Sequence, residues 1–253
     1  MSKRVQGGFV GTRPSWTPAV RSGIWTPEQS YAFGAYYDPY WANVTLLLHM
    51  DGASGSTTFT DSSKYGFVPT PFGDAQISTT QYKFNASALF DGTGDYLTVA
   101  DNSAWDMPGD FTIEAWLYPT SFSYVGGSSN RAPIGFHTTT LSATAPAVLF
   151  VDTGTILFYG SSTVLTSTTA LSVNTWAHVA FVRSGSTLTL YIDGASSGSA
   201  TYTSSIQPNI VNIARSTSAA GDYSGYIDEL RITNGVARYT SSFTPASAPF
   251  PDA

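Results

Sequence analysis

The chain has 253 residues, no cysteine and a formal net charge of −6 at pH 7, and only 11% of its residues are charged. The absence of cysteine excludes disulfides, thiolate metal sites and thiol catalysis, and the acidic balance argues against a nucleic-acid-binding surface. No apolar run approaches the roughly 20 residues of a membrane-spanning helix, and residues 1–10 lack the apolar stretch of a signal peptide, so we expect neither feature.

Residues 1–42 are predicted to form an extended N-terminal attachment arm. Residues 1–40 carry a net charge of +2, because four basic side chains exceed Glu28 and Asp38 (4 − 2). Glycine and proline interrupt the segment and no period is sustained, yet it is rich in aromatic residues. A docking segment needs buried aromatic anchors to offset the entropy it loses. The predicted partner-binding residues are Trp16, Trp25, Tyr36, Tyr37, Trp41, Arg13 and Arg21. The alternative is an arm that folds back on its own domain.

From Asn43 onward, short apolar segments separated by Gly, Asp, Ser and Asn predict a β-sandwich or barrel. In residues 111–118, apolar residues at the odd positions alternate with polar or large aromatic residues at the even positions. This alternation predicts a strand that has one face in the core and that ends at Pro119. Two hairpins are expected around residues 152–154 and 184–186, and a final strand over residues 226–233. These patterns predict an all-β domain over residues 43–253, with a C-terminal tail.

Seven motifs stand in an order that resembles one known family. They are VTLLLHMDG (44–52), DSS (61–63), SALFDGTGDYL (87–97), GDFTIEAW (109–116), WAHVAFVR (176–183), LYIDG (190–194) and GYIDELRI (225–232). Over roughly residues 43–240 they resemble the laminin-G-like, concanavalin-A-like jelly roll. The resemblance implies a two-sheet antiparallel sandwich, in a fold that hosts lectins, glycanases and inert spacers.

The carboxylates do not form an evident catalytic pair. Glycoside hydrolysis uses two carboxylates about 5–9 Å apart, and the Glu-x-Asp-x-x-Glu-like strand expected of glycanases of this fold is missing. Glu114 is interpreted as structural, and Asp228 and Glu229 are adjacent on a strand, so they should point to opposite faces. No nucleophile elbow is present. We therefore predict no catalytic residues and no enzymatic activity.

Aspartates in glycine-containing turns raise the possibility of a structural calcium ion. Calcium takes six to eight oxygen ligands, which carboxylates and turn carbonyls can supply. The resemblance implies that the first and last strands lie together, which would bring Asp51 close to Asp228. We predict these two as leading ligands, with Asp61 third. The alternative is that the aspartates only cap their own turns, through the backbone amides of those turns.

A short element, residues 23–25 with Glu28 and Gln29, resembles one that precedes laminin-G-like modules in bacteriophage structural proteins. This resemblance implies a non-enzymatic virion surface protein, made in the host cytoplasm and present as a homo-oligomer or in many copies. Its arm would contact capsid or tail proteins, and its lectin-like sandwich would face outward as capsid decoration or tail fibre. The alternative is a carbohydrate-binding module for host-surface glycans, and a glycan-cleaving enzyme is the least favoured hypothesis.

Overall fold

The structure, a computed structural model, describes residues 37–122, 131–136, 142, 144–150, 153–215 and 221–253. Two single-turn 3-10 segments, Trp41–Asn43 and Ser103–Trp105, accompany the strands. The strands are β1 (Val44–Leu48), β2 (Thr70–Phe72), β3 (Gln76–Ser78), β4 (Ser87–Asp91), β5 (Tyr96–Ala100), β6 (Phe111–Ser121), β7 (Arg131–Gly135), β8 (Ala147–Phe150), β9 (Ile156–Tyr159), β10 (Thr163–Thr166), β11 (Ala177–Ser184), β12 (Thr187–Ile192), β13 (Ala195–Thr201), β14 (Ile210–Ile213), β15 (Gly221–Asp222) and β16 (Ser224–Asn234).

The strands form two sheets, which confirms the predicted all-β jelly-roll sandwich. Sheet 1 has the order β13-β12-β11-β6-β16-β4-β3, and β1 also pairs with β16. Sheet 2 has the order β10-β9-β8-β7-β14-β5-β2, and β15 runs parallel to β7. The two predicted hairpins are β8–β9 and β11–β12, and the first strand pairs with the last as expected.

Strand β6 shows the predicted alternation between the core and the outer face of sheet 1. Its apolar positions, from Phe111 to Leu117, belong to the main hydrophobic core. The strand nevertheless continues to Ser121, so the prediction that Pro119 ends it is wrong. Pro119 lies opposite Gly225 beside a register shift in β16. A residue without an N–H is tolerated there because the ladder is already interrupted.

A bulge in β16 changes which residues reach the outer face of sheet 1. The register shifts between Asp228 and Arg231, and Glu229 has a φ of 51°. Leu230 enters the core, while Glu229 accepts a hydrogen bond from the Phe250 N–H on the outer side of the sheet. The expectation that Asp228 and Glu229 point to opposite faces is therefore wrong, because the extra residue breaks the alternation.

Residues 236–253, here called the C-terminal segment, cover part of the outer face of sheet 1. The rings of Phe243 and Phe250 lie edge-on to His178, at centroid distances of 5.7 and 6.4 Å. Tyr239 donates a 2.8 Å hydrogen bond to Glu114. The outer face of sheet 1 is thus divided into a part under the C-terminal segment and a part outside it.

Residues 38–42 of the predicted arm contact this covered region. The Asp38 N–H donates to the carbonyl of Ala253, and the buried Asp38 carboxylate accepts hydrogen bonds from Arg231 and Arg238. The side chain of Trp41 packs against the small cluster formed by β1 and the C-terminal segment. Tyr37, in contrast, is 59% exposed.

Candidate functional site

The uncovered part of sheet 1 carries a row of half-buried side chains, most of them apolar. Strand register places Trp176, which immediately precedes β11, beside Tyr118 of β6, and Tyr118 pairs with Tyr226 of β16. Leu89 of β4 and Gln76 of β3 continue the row to the sheet edge. All five side chains are half-buried. The row therefore crosses five adjacent strands with part of each side chain in solvent.

Three of these residues, Trp176, Tyr118 and Tyr226, form what we call the aromatic row. The ring of Tyr118 lies 5.4 Å from that of Trp176 at an interplanar angle of 53°, and 5.8 Å from that of Tyr226 at 77°. These distances are close to the strand spacing of about 4.8 Å. The tilts make the surface corrugated rather than flat.

Polar groups flank the aromatic row on one side. The hydroxyls of Thr120 and Ser224 lie 2.9 Å apart in a hydrogen bond, and Ser224 pairs with Asp91 of β4. The Thr120 and Asp91 side chains are exposed. An apolar strip beside hydroxyl and carboxylate groups can bind a ligand that has both apolar and polar faces.

On the other side of the aromatic row, residues 79–86 form what we call the covering loop. Lys83 places its Nζ 3.8 Å from the ring centroid of Trp116, and the ring of Phe84 meets Trp116 edge-on at 6.1 Å. The N–H groups of Lys83 and Phe84 donate to Asp228 Oδ2 at 2.9 and 2.8 Å. Trp116 and Asp228 are therefore buried beneath the covering loop.

The carboxyl of Asp228 has a strongly perturbed pKa. Burial raises the pKa to about 8, and the nearby carboxylates of Glu229 and Asp51 raise it as well, although the Phe84 and Lys83 N–H groups act in the opposite direction. The site therefore favours the protonated, uncharged form of Asp228 at neutral pH.

Glu114 belongs to a buried ion network under the C-terminal segment. Its carboxylate lies 2.8 Å from Arg231 Nη2 and 3.8 Å from Arg238 Nε. Burial alone would raise the pKa of Glu114, but the Arg231 guanidinium, with His178 and Arg238, holds it far below its usual value. A permanently ionised carboxylate with these partners is a structural ion-pair group.

The three predicted calcium ligands all accept backbone hydrogen bonds. Asp61 accepts from the N–H groups of Leu47, Ser63 and Phe67. Asp51 accepts from the N–H of Ala86, which lies two residues after Phe84, a residue whose N–H binds Asp228. Only Asp61 caps its own turn, through the N–H of Ser63, whereas Asp51 and Asp228 bind N–H groups that are 35 and 145 residues away in sequence. Within the described ranges, no three His, Asp or Glu side chains converge into a metal-binding set. Calcium binding stays a prediction.

Most of the predicted partner-binding residues fall outside the described residues. This applies to Trp16, Trp25, Tyr36, Arg13 and Arg21. The aromatic row was not predicted as a site. Alternation in β6 places Tyr118 outward, but the positions of Trp176 and Tyr226 beside it depend on pairing between strands far apart in sequence.

Comparisons with known proteins agree with the fold. Residues 91–238, more than half of the chain, match the Laminin_G_3 family of the concanavalin A-like lectin/glucanases superfamily. No curated protein sequence matches the chain. Within the part of the chain that the structure describes, no helix has the length and apolarity to cross a membrane.

Three solved structures are similar in fold. Domain 4 of AbnA, an extracellular arabinanase of Geobacillus stearothermophilus in complex with arabinotriose, has 16% identity and a TM-score of 0.58, and the match covers 76% of this chain and 93% of that one. The binding domain of Paraclostridial Mosquitocidal Protein 1 has 15% identity and a TM-score of 0.57, with coverage of 81% and 50%. The binding domain of Botulinum neurotoxin DC in complex with SialylT has 12% identity and a TM-score of 0.55, with coverage of 84% and 49%. The chain thus spans about half the length of these toxin binding domains.

Proposed function

The chain belongs to the concanavalin A-like lectin/glucanases superfamily, and from that membership we propose that its sandwich is a non-enzymatic domain that binds a glycan on the outer face of sheet 1. The observation that carries the proposal is the half-exposed aromatic row. Sugar rings have apolar faces that pack on aromatic rings and hydroxyls that pair with polar groups at the edges. Thr120, Ser224 and Asp91 supply such groups beside the row.

The dimensions of the aromatic row favour a chain of sugars over a single terminal sugar. Its rings follow one another at 5.4 and 5.8 Å across three strands, and Leu89 and Gln76 extend the surface over two more. At about 4.8 Å per strand, successive rings repeat at a distance comparable with one sugar unit. An oligosaccharide lying across the strands would therefore meet one side chain per unit.

The similar structures support binding rather than catalysis. The arabinanase domain was solved with arabinotriose, and the toxin domains are described as binding domains. The carboxylates of this chain agree with that role. Glu114 is held by two arginines, and Asp228 and Glu229 accept hydrogen bonds from backbone N–H groups. Each of these three carboxylates therefore has a structural partner.

The proposal is tested by glycan-array binding followed by titration of the best ligand. Trp176→Ala, Tyr118→Ala and Tyr226→Ala should each weaken binding by about tenfold or more, about 1.4 kcal/mol. Phe72→Ala is the matched control, because Phe72 is 40% exposed and stacks on Tyr96, but lies on sheet 2. Equal binding by all four variants and the unmodified chain would place the site elsewhere.

A second proposal concerns the context in which the domain works. We propose that it is a virion structural protein, anchored by residues 1–36 to capsid or tail proteins and displayed outward in many copies. The composition of this segment supports the proposal.

Incorporation into phage particles tests this second proposal. Deleting residues 1–36 should leave a folded domain that no longer incorporates, and Trp25→Ala should reduce incorporation more than the exposed loop change Thr93→Ala. Assembly of the deleted chain at normal copy number would show that the sandwich itself carries the attachment surface.

A further inference from the structure

Five buried side-chain polar atoms have no hydrogen-bond partner among the described residues. All five lie in sheet 1 or at its border. They are Trp116 Nε1, Trp176 Nε1, both ring nitrogens of His178, and Asp228 Oδ1. His178 Nε2 nevertheless faces Glu114 Oε2 at an ion-pair distance of 3.2 Å, so the atoms without a polar partner are Trp116 Nε1, Trp176 Nε1, His178 Nδ1 and Asp228 Oδ1. Unpaired buried polar groups each cost about 1–3 kcal/mol, so their concentration in one place requires an explanation.

Strand register places three of the residues that carry these atoms side by side. His178 pairs with Trp116, and Trp116 pairs with Asp228, across β11, β6 and β16. This line of residues lies beside the aromatic row, because Trp116 and Tyr118 are two positions apart on β6 and share the outer face. It is buried only because the covering loop and the C-terminal segment lie over it.

The covering loop is the segment that lies over Trp116 and Asp228. Its contacts there are the Lys83 ammonium over the Trp116 ring, the edge of Phe84, and two N–H groups on the single oxygen Asp228 Oδ2. The neighbouring part of the loop is held by Asp51, an exposed carboxylate. The loop connects β3 to β4, and the pairing of Ser78 with Ser87 fixes its two ends. Over the unpaired groups themselves, it is held by hydrogen bonds, an edge-on ring contact and a cation–π contact.

We propose that the covering loop closes a second sugar-binding position, in which Trp116 Nε1–H and Asp228 Oδ1 pair with hydroxyl groups of a sugar unit bound beside the aromatic row. This inference rests on the proposed glycan-binding function and extends it. A hydroxyl both donates and accepts, so adjacent hydroxyls match the indole donor and the carboxyl oxygen together. The Trp116 ring, once Lys83 moves aside, offers the apolar face that a sugar ring stacks on.

The opening of the loop can be measured without a ligand. Trp105 is the internal control, since it is fully buried and its Nε1 donates to the carbonyl of Ala100. Indole N–H exchange, followed by NMR, should be at least tenfold faster for Trp116 than for Trp105. Lys83→Ala should accelerate it further, and Lys64→Ala should not, although Lys64 also lies over an aromatic ring, that of Tyr65. Equally slow exchange of both indoles in the unmodified chain and in Lys83→Ala would overturn the inference.

Ligand titration separates this inference from the proposed function. The probes are arabinotriose, cellotriose, sialyllactose and the best ligand from the array. A glycan on the aromatic row should shift the Trp176 indole signal, and occupation of the covered position should shift the Trp116 signal as well. Trp116→Phe keeps a ring but removes the donor, so it should weaken binding about tenfold without lowering the melting temperature. A Trp176 shift without a Trp116 shift would overturn the covered position and leave the proposed function standing.

Discussion

Asp228 shows how one residue can depart from what its sequence neighbourhood indicates. Its sequence neighbourhood predicts a strand residue that points away from Glu229 and, together with Asp51, holds a calcium ion. In the structure it is fully buried, accepts two N–H groups of the covering loop on Oδ2, and has its pKa raised to about 8 by burial and by neighbouring carboxylates. Its ionisation is therefore coupled to the stability of the fold.

The pH dependence of stability tests this coupling. The unfolded chain releases the Asp228 proton near pH 4 and the folded chain near pH 8. Because the folded state holds more protons in this window, the free energy of unfolding should fall as pH rises from about 4 to about 8, by up to about 1.4 kcal/mol per unit. Urea denaturation at pH 5, 6.5 and 8 should show a shallower decline for Asp228→Asn. The control is Asp101→Asn, because Asp101 is exposed and is not among the groups that shift the pKa of Asp228. An equal slope in all three proteins would contradict the assignment.

The calcium prediction is tested by measuring the melting temperature with and without a chelator. A cation that binds only the folded state raises the melting temperature by mass action. If Asp51 and Asp228 hold calcium, EDTA should lower the melting temperature, and Asp228→Asn should abolish that difference. Identical melting curves with and without chelator would leave Asp51, Asp61 and Asp228 only as acceptors of backbone hydrogen bonds.

At the scale of elements, the C-terminal segment depends on buried ion pairs. Arg238 donates to both oxygens of Asp38 from the segment, and Arg231 joins Asp38 to Glu114 beneath it. Burial alone would lower the pKa of Arg231, but Glu114 and Asp38 raise it. Removing one partner from such a network leaves an uncompensated buried charge.

Arg238→Met should therefore destabilise the domain strongly, by about 3–5 kcal/mol. Arg215→Met is the comparison, because the side chains of the Arg215–Asp222 pair are 21% and 10% exposed, against 6% and 1% for Arg238 and Asp38, so its loss should cost less. Chemical denaturation of both variants gives the two values. A cost for Arg238→Met no larger than that for Arg215→Met would mean that the C-terminal segment is held by its apolar contacts alone.

Alternation and turn residues were enough to predict individual elements of this sandwich. The inward residues of β6 and both hairpins follow from local patterns. The bulge at Glu229 does not, because its left-handed backbone is accompanied by contacts to His49 and Phe250, about 180 and 20 residues away in sequence. The aromatic row was missed for the same reason. Local alternation shows which residues face outward, but not which part of that face the C-terminal segment covers.

At the scale of the whole molecule, Asp38 ties the first described residues to sheet 1 and to the end of the C-terminal segment. Its carboxylate joins two buried arginines and its N–H binds the carbonyl of Ala253. A chain that starts at Tyr37 should therefore unfold at a clearly higher denaturant concentration than one that starts at Asn43, although both should be β-rich. Equal midpoints would show that residues 38–42 add nothing to the fold, and aggregation of both would show that the arm belongs to the core.

Strand β16 is the last strand of the chain, yet it lies in the middle of sheet 1, where it pairs with β1, β4 and β6. Synthesis proceeds from the N-terminus, so β1, β4 and β6 leave the ribosome well before the strand that joins them. Until residue 234 emerges, their edges have unpaired N–H and carbonyl groups, the condition that favours pairing between nascent chains. Sheet 1 is thus completed after nearly the whole domain has been made, and its folding is governed by contacts across about 190 residues of sequence.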